Sequence, residues 1–205
     1  MRRILLFFVV LFSFAAYAQE HVTFDGVELT GERHSFLSQL QKKGYKFVCE
    51  SGNKATLEGK YHGFPCSIIV YSFSKSIDLV YKVEVLTKNY TNWEQLESEY
   101  ERIEEEIIQL YDEPANASKV IFPPFEEEDN EMQAISLNCF NYHSDWNDIE
   151  NATVRMCIKS SGCIEIRLVD RQSENLGKKI QRGGVQNAIE NTKETIGNLF
   201  NMLAE

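Results

Sequence analysis

Positive charge is what this chain lacks first: 21 Lys and Arg stand against 31 Asp and Glu, a net charge of −10 over 205 residues. Binding to nucleic acid by counterion release needs clustered Lys and Arg, so no nucleic-acid partner is expected. Beyond residue 18 no apolar run approaches the roughly 20 residues of a membrane span, and no stable membrane insertion is expected of the mature chain. The histidines His21, His34, His62 and His143 show no HxH spacing and the cysteines no CxxC pair, so the common zinc signatures are missing. No catalytic or cofactor motif occurs, and no cofactor or metal is expected. A content of 43% apolar and 12% aromatic residues excludes a disordered or collagen-like chain.

What is present begins with an export signal. Arg2 and Arg3 precede the apolar run from Ile4 to Ala16, and Ala16-Tyr17-Ala18 supplies a small-x-small cleavage site. Residues 1–18 therefore read as a signal peptide and residues 19–205 as one mature domain, periplasmic or extracellular. No Cys stands at the cleavage point to carry a lipid. All five cysteines (Cys49, Cys66, Cys139, Cys157 and Cys163) belong to the mature chain, where an oxidising compartment permits disulfides.

Hydrophobic period then organises the chain. Val22-Thr23-Phe24 and Val27-Glu28-Leu29 flank Asp25-Gly26, a hairpin signal. A short helix follows from Arg33 with Phe36, Leu37 and Leu40 on one side, ending at Gly44. Period-2 runs come next: Tyr45, Phe47 and Cys49; Ala55, Leu57, Gly59 and Tyr61; Cys66, Ile68 and Val70; Leu79, Tyr81, Val83 and Val85. The longest helix carries Trp93, Leu96, Tyr100, Ile103, Ile107 and Leu110 in one stripe, with Thr91 or Asn92 as its cap and Pro114 beyond its end. Four more strands are expected around Val120 and Phe122, Ile135 to Phe140, Val154 to Ile158 and Ile164 to Leu168. A tight turn at Lys159 to Gly162 joins the last two. A helical tail is expected over 173–203, with Leu176, Ile180, Val185, Ile189, Ile196, Leu199 and Leu203 apolar.

Helix plus four strands thus occurs twice, over 33–90 and 91–170, with the extra length of the second unit in loops. The expected fold is α+β: an antiparallel sheet of about eight strands built from two such units, helices packed mainly on one face, and a C-terminal helix.

This tandem order resembles that of beta-lactamase-inhibitor-like proteins. In detail, Phe24-Asp25-Gly26-Val27, Leu40 with Lys43-Gly44-Tyr45, and Leu110-Tyr111-Asp112-Glu113-Pro114 resemble an uncharacterised family of exported Bacteroidetes proteins, whose helix end typically has Gly where this chain has Asp112. The first resemblance implies a sheet face that binds another protein; neither implies a catalytic residue.

Strand parity places Ile69, Tyr71, Phe73, Phe140 and Tyr142 on the face opposite the inward set, among Lys60, Lys82, Arg155 and Arg167. Rigid aromatics with Arg make a protein-recognition surface, unless the tail helix or the loop bearing Trp146 covers it as a second core. Tyr71, Phe73, Phe140, Tyr142, Arg155 and Arg167 are the candidate binding residues. Cys157 and Cys163 share outward parity across their turn, which allows a cross-strand disulfide. Cys49, Cys66 and Cys139 have inward parity and read as small buried apolar residues, a Cys49–Cys66 bridge being the alternative. Cys139 and His143, four residues apart on one strand, would stand about 13 Å apart at roughly 3.3 Å per residue, too far for a dyad. The acidic run Glu126 to Glu131 lacks the spacing and Gly of a calcium loop and reads as a solvated loop.

The expected function is a secreted or periplasmic, non-enzymatic binding or inhibitor-type module with a protein partner. The alternatives are an extracytoplasmic enzyme, such as a hydrolase, in which His143, Asp145, Asp148 and Arg155 converge, or a structural envelope component that self-associates through its tail helix.

Overall fold

The computed structural model describes residues 21–125, 130–147, 149 and 151–185. Residues 1–20, which include the expected signal peptide, Glu126 to Asp129, Asp148, Glu150 and the tail beyond 185, including Ile189, Ile196, Leu199 and Leu203, lie outside the described residues.

The described chain is α+β. Strands β1 (Thr23–Phe24) and β2 (Val27–Glu28) form a small hairpin. Its turn needs two residues in the left-handed region, supplied by Asp25 and Gly26 with φ of 48° and 72°. Helix α1 (Arg33–Lys42) buries Phe36, Leu37 and Leu40. Four strands follow: β3 (Lys46–Ser51), β4 (Lys54–Tyr61), β5 (Phe64–Ser72) and β6 (Val80–Thr87). Helix α2 (Trp93–Tyr111) is capped by Asn92, whose side chain accepts the Gln95 N–H at 3.0 Å. The second set comprises β7 (Asn116–Ile121), a short helix α3 (Glu131–Ser136), β8 (Phe140–Trp146), β9 (Ala152–Ile158) and β10 (Ile164–Asp170). A helix, α4, covers 171–185 of the described chain.

All eight long strands form one antiparallel sheet in the order β3-β4-β5-β6-β10-β9-β8-β7. The final strands of the two halves, β6 and β10, meet at the centre, and β3 and β7 form the edges. On the inner face Leu57, Ile68, Val70, Val83, Val85, Val154, Met156, Ile166 and Leu168 pack with Phe36 and Leu40 of α1 and Leu96, Tyr100, Ile103 and Ile107 of α2. Each such aliphatic side chain removed from water contributes about 1.5–3 kcal/mol before chain entropy is charged against it. The stripe on α2 therefore has a greasy floor to lie on.

Three local expectations are corrected. Ile135 is not in a strand: α3 buries Ala134 and Ile135, and Asn138 turns the chain at φ 58° into β8. Strand parity consequently starts at Phe140, so Phe140 and Tyr142 point inward with Trp146. Tyr142 meets Trp93 and Tyr100 of α2 edge-on, at centroid distances of 5.4 and 4.8 Å. Both leave the proposed outer face. At the other end, a bulge between Phe47 and Cys49 breaks the alternation of edge strand β3, leaving Phe47 and Cys49 exposed.

Gly162 and Gly177 are steric requirements. Gly162, at φ 76° in the β9–β10 turn, donates its N–H to Lys159 and lies so close to the Tyr90 carbonyl that a Cβ would meet it at 2.6 Å. Gly177 of α4 lies flat on Phe73, where a Cβ would come within 2.5 Å of the ring. Past Gly177 every described residue of α4 is exposed, including Ile180 and Val185.

Candidate functional site

The helices α1 and α2 lie on one side of the sheet, so the candidate site is the other side. Hydrogen-bond register lines up its side chains in rows. One row runs Lys54, Tyr71, Lys82, Val169, Thr153. The next runs Thr56, Ile69, Glu84, Arg167, Arg155, Asp145, Asn116. A third runs Glu58, Ser67, Leu86, Glu165, Cys157, His143, Ser118.

Charge on this face is layered. Arg167 bridges Glu84 at 3.3 Å and Glu165 at 2.6 Å; Lys82 reaches Glu84 at 2.9 Å, Lys159 reaches Glu165 at 3.3 Å, and Arg155 approaches Asp145 at 3.5 Å. The carboxylates lie low, with side-chain exposures of 10%, 7% and 11% for Glu84, Glu165 and Asp145. The cations cover them, at 42% for Arg155, 43% for Lys159 and 37% for Arg167. Solvent therefore meets cations first.

Tyr71 belongs to this face but is buried within it. Its hydroxyl donates to Glu84, and Lys82 sits 3.6 Å over its ring centroid. Burial, reinforced by the Glu84 hydrogen bond, holds the Tyr71 phenol above its ordinary pKa. For Glu84, burial alone would raise the carboxyl; the Tyr71 hydroxyl, Lys82 and Arg167 outweigh it and hold the group below its ordinary value. Phe73 is on this side too, at its corner, against Tyr81 and Gly177.

Of the six candidate residues, the sheet brings together Tyr71, Arg155 and Arg167, leaves Phe73 at the margin and turns Phe140 and Tyr142 to the other side. Glu84, Glu165 and Lys159, which pair with the cations of this face or with its carboxylates, are not among the candidate binding residues of the sequence. Their signal was parity: Glu84 and Glu165 alternate with the buried valines and isoleucines of their strands.

Cys157 is opposite Glu165, not Cys163, and its thiol lies 3.9 Å from that carboxylate; Cys163 Sγ instead lies 3.3 Å from Ser161 Oγ. All five cysteines are free thiols in the structure. Burial, then the Glu165 charge, pushes the Cys157 thiol above its ordinary pKa.

Among the rival catalytic set, His143, Asp145 and Arg155 do share one corner. His143 Nε2 lies 3.6 Å from Asp145 Oδ2 and 3.4 Å from Asn116 Nδ2, while Nδ1 lies 2.8 Å from Asn141 Oδ1. Ser118 is directly across from His143, yet its hydroxyl donates to the Asn141 carbonyl at 3.3 Å. Asp148 lies outside the described residues. Among those residues no group of three or more His, Cys, Asp or Glu could hold a metal ion, and no helix is long and apolar enough to cross a membrane.

A second polar cluster lies between α2 and the sheet. Ser144 donates to Glu104, Tyr100 Oη lies 3.0 Å from Ser144 Oγ, and Lys119 reaches Glu104 at 2.7 Å. Ser144 is fully buried and Lys119 caps the cluster from solvent, so the cluster joins the helix to the sheet.

Comparison with protein-family models, with curated proteins and with solved structures gives no match in any of the three.

Proposed function

We propose that this chain is an exported, non-enzymatic binding module, of inhibitor type, that recognises a protein partner through the open face of its sheet. The observation that supports this most is the asymmetry of the sheet: one face is sealed by α1 and α2, while the other presents Arg155, Arg167 and Lys159, with Tyr71 buried beneath Lys82. Arg is among the side chains that carry binding energy at protein interfaces, and the salt bridges beneath hold the Arg heads in place before a partner arrives. The repeated order of a helix and four strands, interrupted by α3 in the second half, is what carries the resemblance to beta-lactamase-inhibitor-like proteins, and the export-signal pattern over 1–18 implies a partner outside the cytoplasm.

Photo-crosslinking in the native host tests the reading. A crosslinking side chain at Ile69 or Thr153, both on the open face, is expected to capture a protein; one at exposed Glu105 on α2 is not. Equal capture from all three positions would refute it.

A hydrolytic enzyme is the second reading, favoured by the approach of His143, Asp145 and Arg155 to one another. It requires a nucleophile or water aligned on His143, whereas both ring nitrogens face protein groups. Turnover of ester or peptide substrates that vanishes in His143→Ala would establish it.

A further inference from the structure

The chemistry of the partner follows from how charge is distributed. We infer that the open face receives an acidic segment of a protein, with carboxylates seated between Arg155 and Arg167; this rests on that face being the docking surface. Arg155 and Arg167 are directly opposed on β9 and β10. Opposed like charges repel across a strand pair, where Cβ atoms stand about 4.5–5.5 Å apart. Arg167 is held by two carboxylates, but Arg155 makes only the 3.5 Å approach to Asp145 among the described residues. A guanidinium has five N–H donors in a fork that matches a carboxylate, so the described residues leave most of the donor capacity of Arg155 unspent. A carboxylate entering between the two heads would satisfy those donors and relieve the repulsion.

The surroundings narrow the class further. Four cations, Lys82, Arg155, Lys159 and Arg167, lie over three carboxylates, Glu84, Asp145 and Glu165, in a chain whose net charge is −10. The surplus on this face is small and local. Helix α2, on the opposite side, carries Glu94, Glu97, Glu99, Glu101, Glu105 and Glu106. An acidic partner is therefore repelled from the helical side and admitted on the sheet side, which fixes the orientation of docking. A long polyanion, such as a sulfated glycan, would need a continuous cationic track; here Ile69, Leu86 and Val169 separate the charges, the mixture of apolar and ionic contact that a polypeptide offers.

The test is a titration of the isotopically labelled mature protein with a short poly-glutamate peptide, and separately with heparin and with inorganic phosphate, followed by NMR. Poly-glutamate is expected to shift resonances of Thr153, Arg155, Arg167 and Val169, with affinity falling at least about tenfold in about 0.5 M salt, where the screening length is only a few ångströms. The pair Arg155→Gln/Arg167→Gln is expected to lose at least about tenfold in affinity as well. A cooperative melting transition and native-like resonance dispersion certify its fold, and the shift map and salt dependence of the wild type need no variant. Absence of poly-glutamate binding, shifts mapping elsewhere, or binding of heparin or phosphate alone would overturn the inference. If Ile69 and Thr153 still capture a protein in that event, the docking face stands and only the acidic partner falls; if capture fails too, the reading of the face falls with it.

Discussion

The indole N–H of Trp146 donates to the main-chain carbonyl of Asp112 at 2.8 Å, tying the end of β8 to the residue that stops α2. That carbonyl is aimed by an unusual backbone: Asp112 has φ 62° and ψ −166°, a region that is essentially glycine's alone. Trp146 is among the largest fully buried side chains, so its hydrogen bond and its packing together hold Asp112 in place.

Asp112→Gly is accordingly expected to stabilise the protein. Strain of this kind costs about 1–3 kcal/mol, and the added freedom of glycine in the unfolded chain returns about 1 kcal/mol of that, leaving a net gain near 1 kcal/mol. Urea unfolding measures it. Asp112→Ala retains the strain and should give no gain; equal stabilisation by both substitutions would show that the aspartate side chain, not the backbone, is responsible.

Ser144 lies at the junction of α2 and β8, and Ser144→Ala removes the hydroxyl that Glu104 accepts while leaving the carboxylate buried. A loss of about 1–3 kcal/mol is expected. In a double-mutant cycle with Glu104→Gln, the two changes should be less than additive, since either one breaks the same contact. Strict additivity in chemical unfolding would mean that the pair is not coupled.

The same junction shows what the sequence made legible. The eight strands, the α2 stripe and the asymmetric covering of the sheet follow from period and parity, because inner positions had to be apolar for the helices to seal them. Parity failed at one place with large consequences. A strand begun at Ile135 puts Cys139 inward and Phe140 and Tyr142 outward; beginning instead at Phe140 reverses both, as any slip of one residue must. The corrective signal was in the chain: Phe140, Tyr142 and Trp146 alternate with Asn141, His143 and Asp145. The pairing of Arg155 with Arg167, and of Cys157 with Glu165, was out of reach, since cross-strand register depends on turn geometry and bulges that composition does not encode.

Thiol reactivity reads the corrected parity directly. Cys49, exposed on edge strand β3, is expected to react with a thiol reagent in the folded protein well before the others. Cys66 is buried and its pKa is pushed up to about 11 by desolvation, and Cys163 is buried as well, so both should wait for unfolding. Labelling followed by peptide mass spectrometry gives the order. Early labelling of Cys66 ahead of Cys49 would contradict the bulge that turns Cys49 outward.

Acid should loosen the open face through Glu84. Its ordinary pKa of 4.5 belongs to the unfolded chain, and the folded value is lower because Tyr71, Lys82 and Arg167 favour the carboxylate more than burial opposes it. A depressed folded value means that the unfolded chain binds the proton first as pH falls. The stabilisation is therefore complete above the unfolded value and is withdrawn as pH drops from about 4.5 through the folded value. Glu99, lowered chiefly by its hydrogen bonds from Arg102, contributes with the same sign in the same window, so the wild-type slope is not due to Glu84 alone. The difference between wild type and Glu84→Gln isolates it. The variant should be less stable at neutral pH, where Lys82 and Arg167 lose their shared anion, and the gap should close as pH falls below 4.5. Urea midpoints taken across that range decide the matter: a gap that stays constant would show that the ionised form of Glu84 gains nothing from its neighbours, and that the cations of the face are held by Glu165 and Asp145 instead.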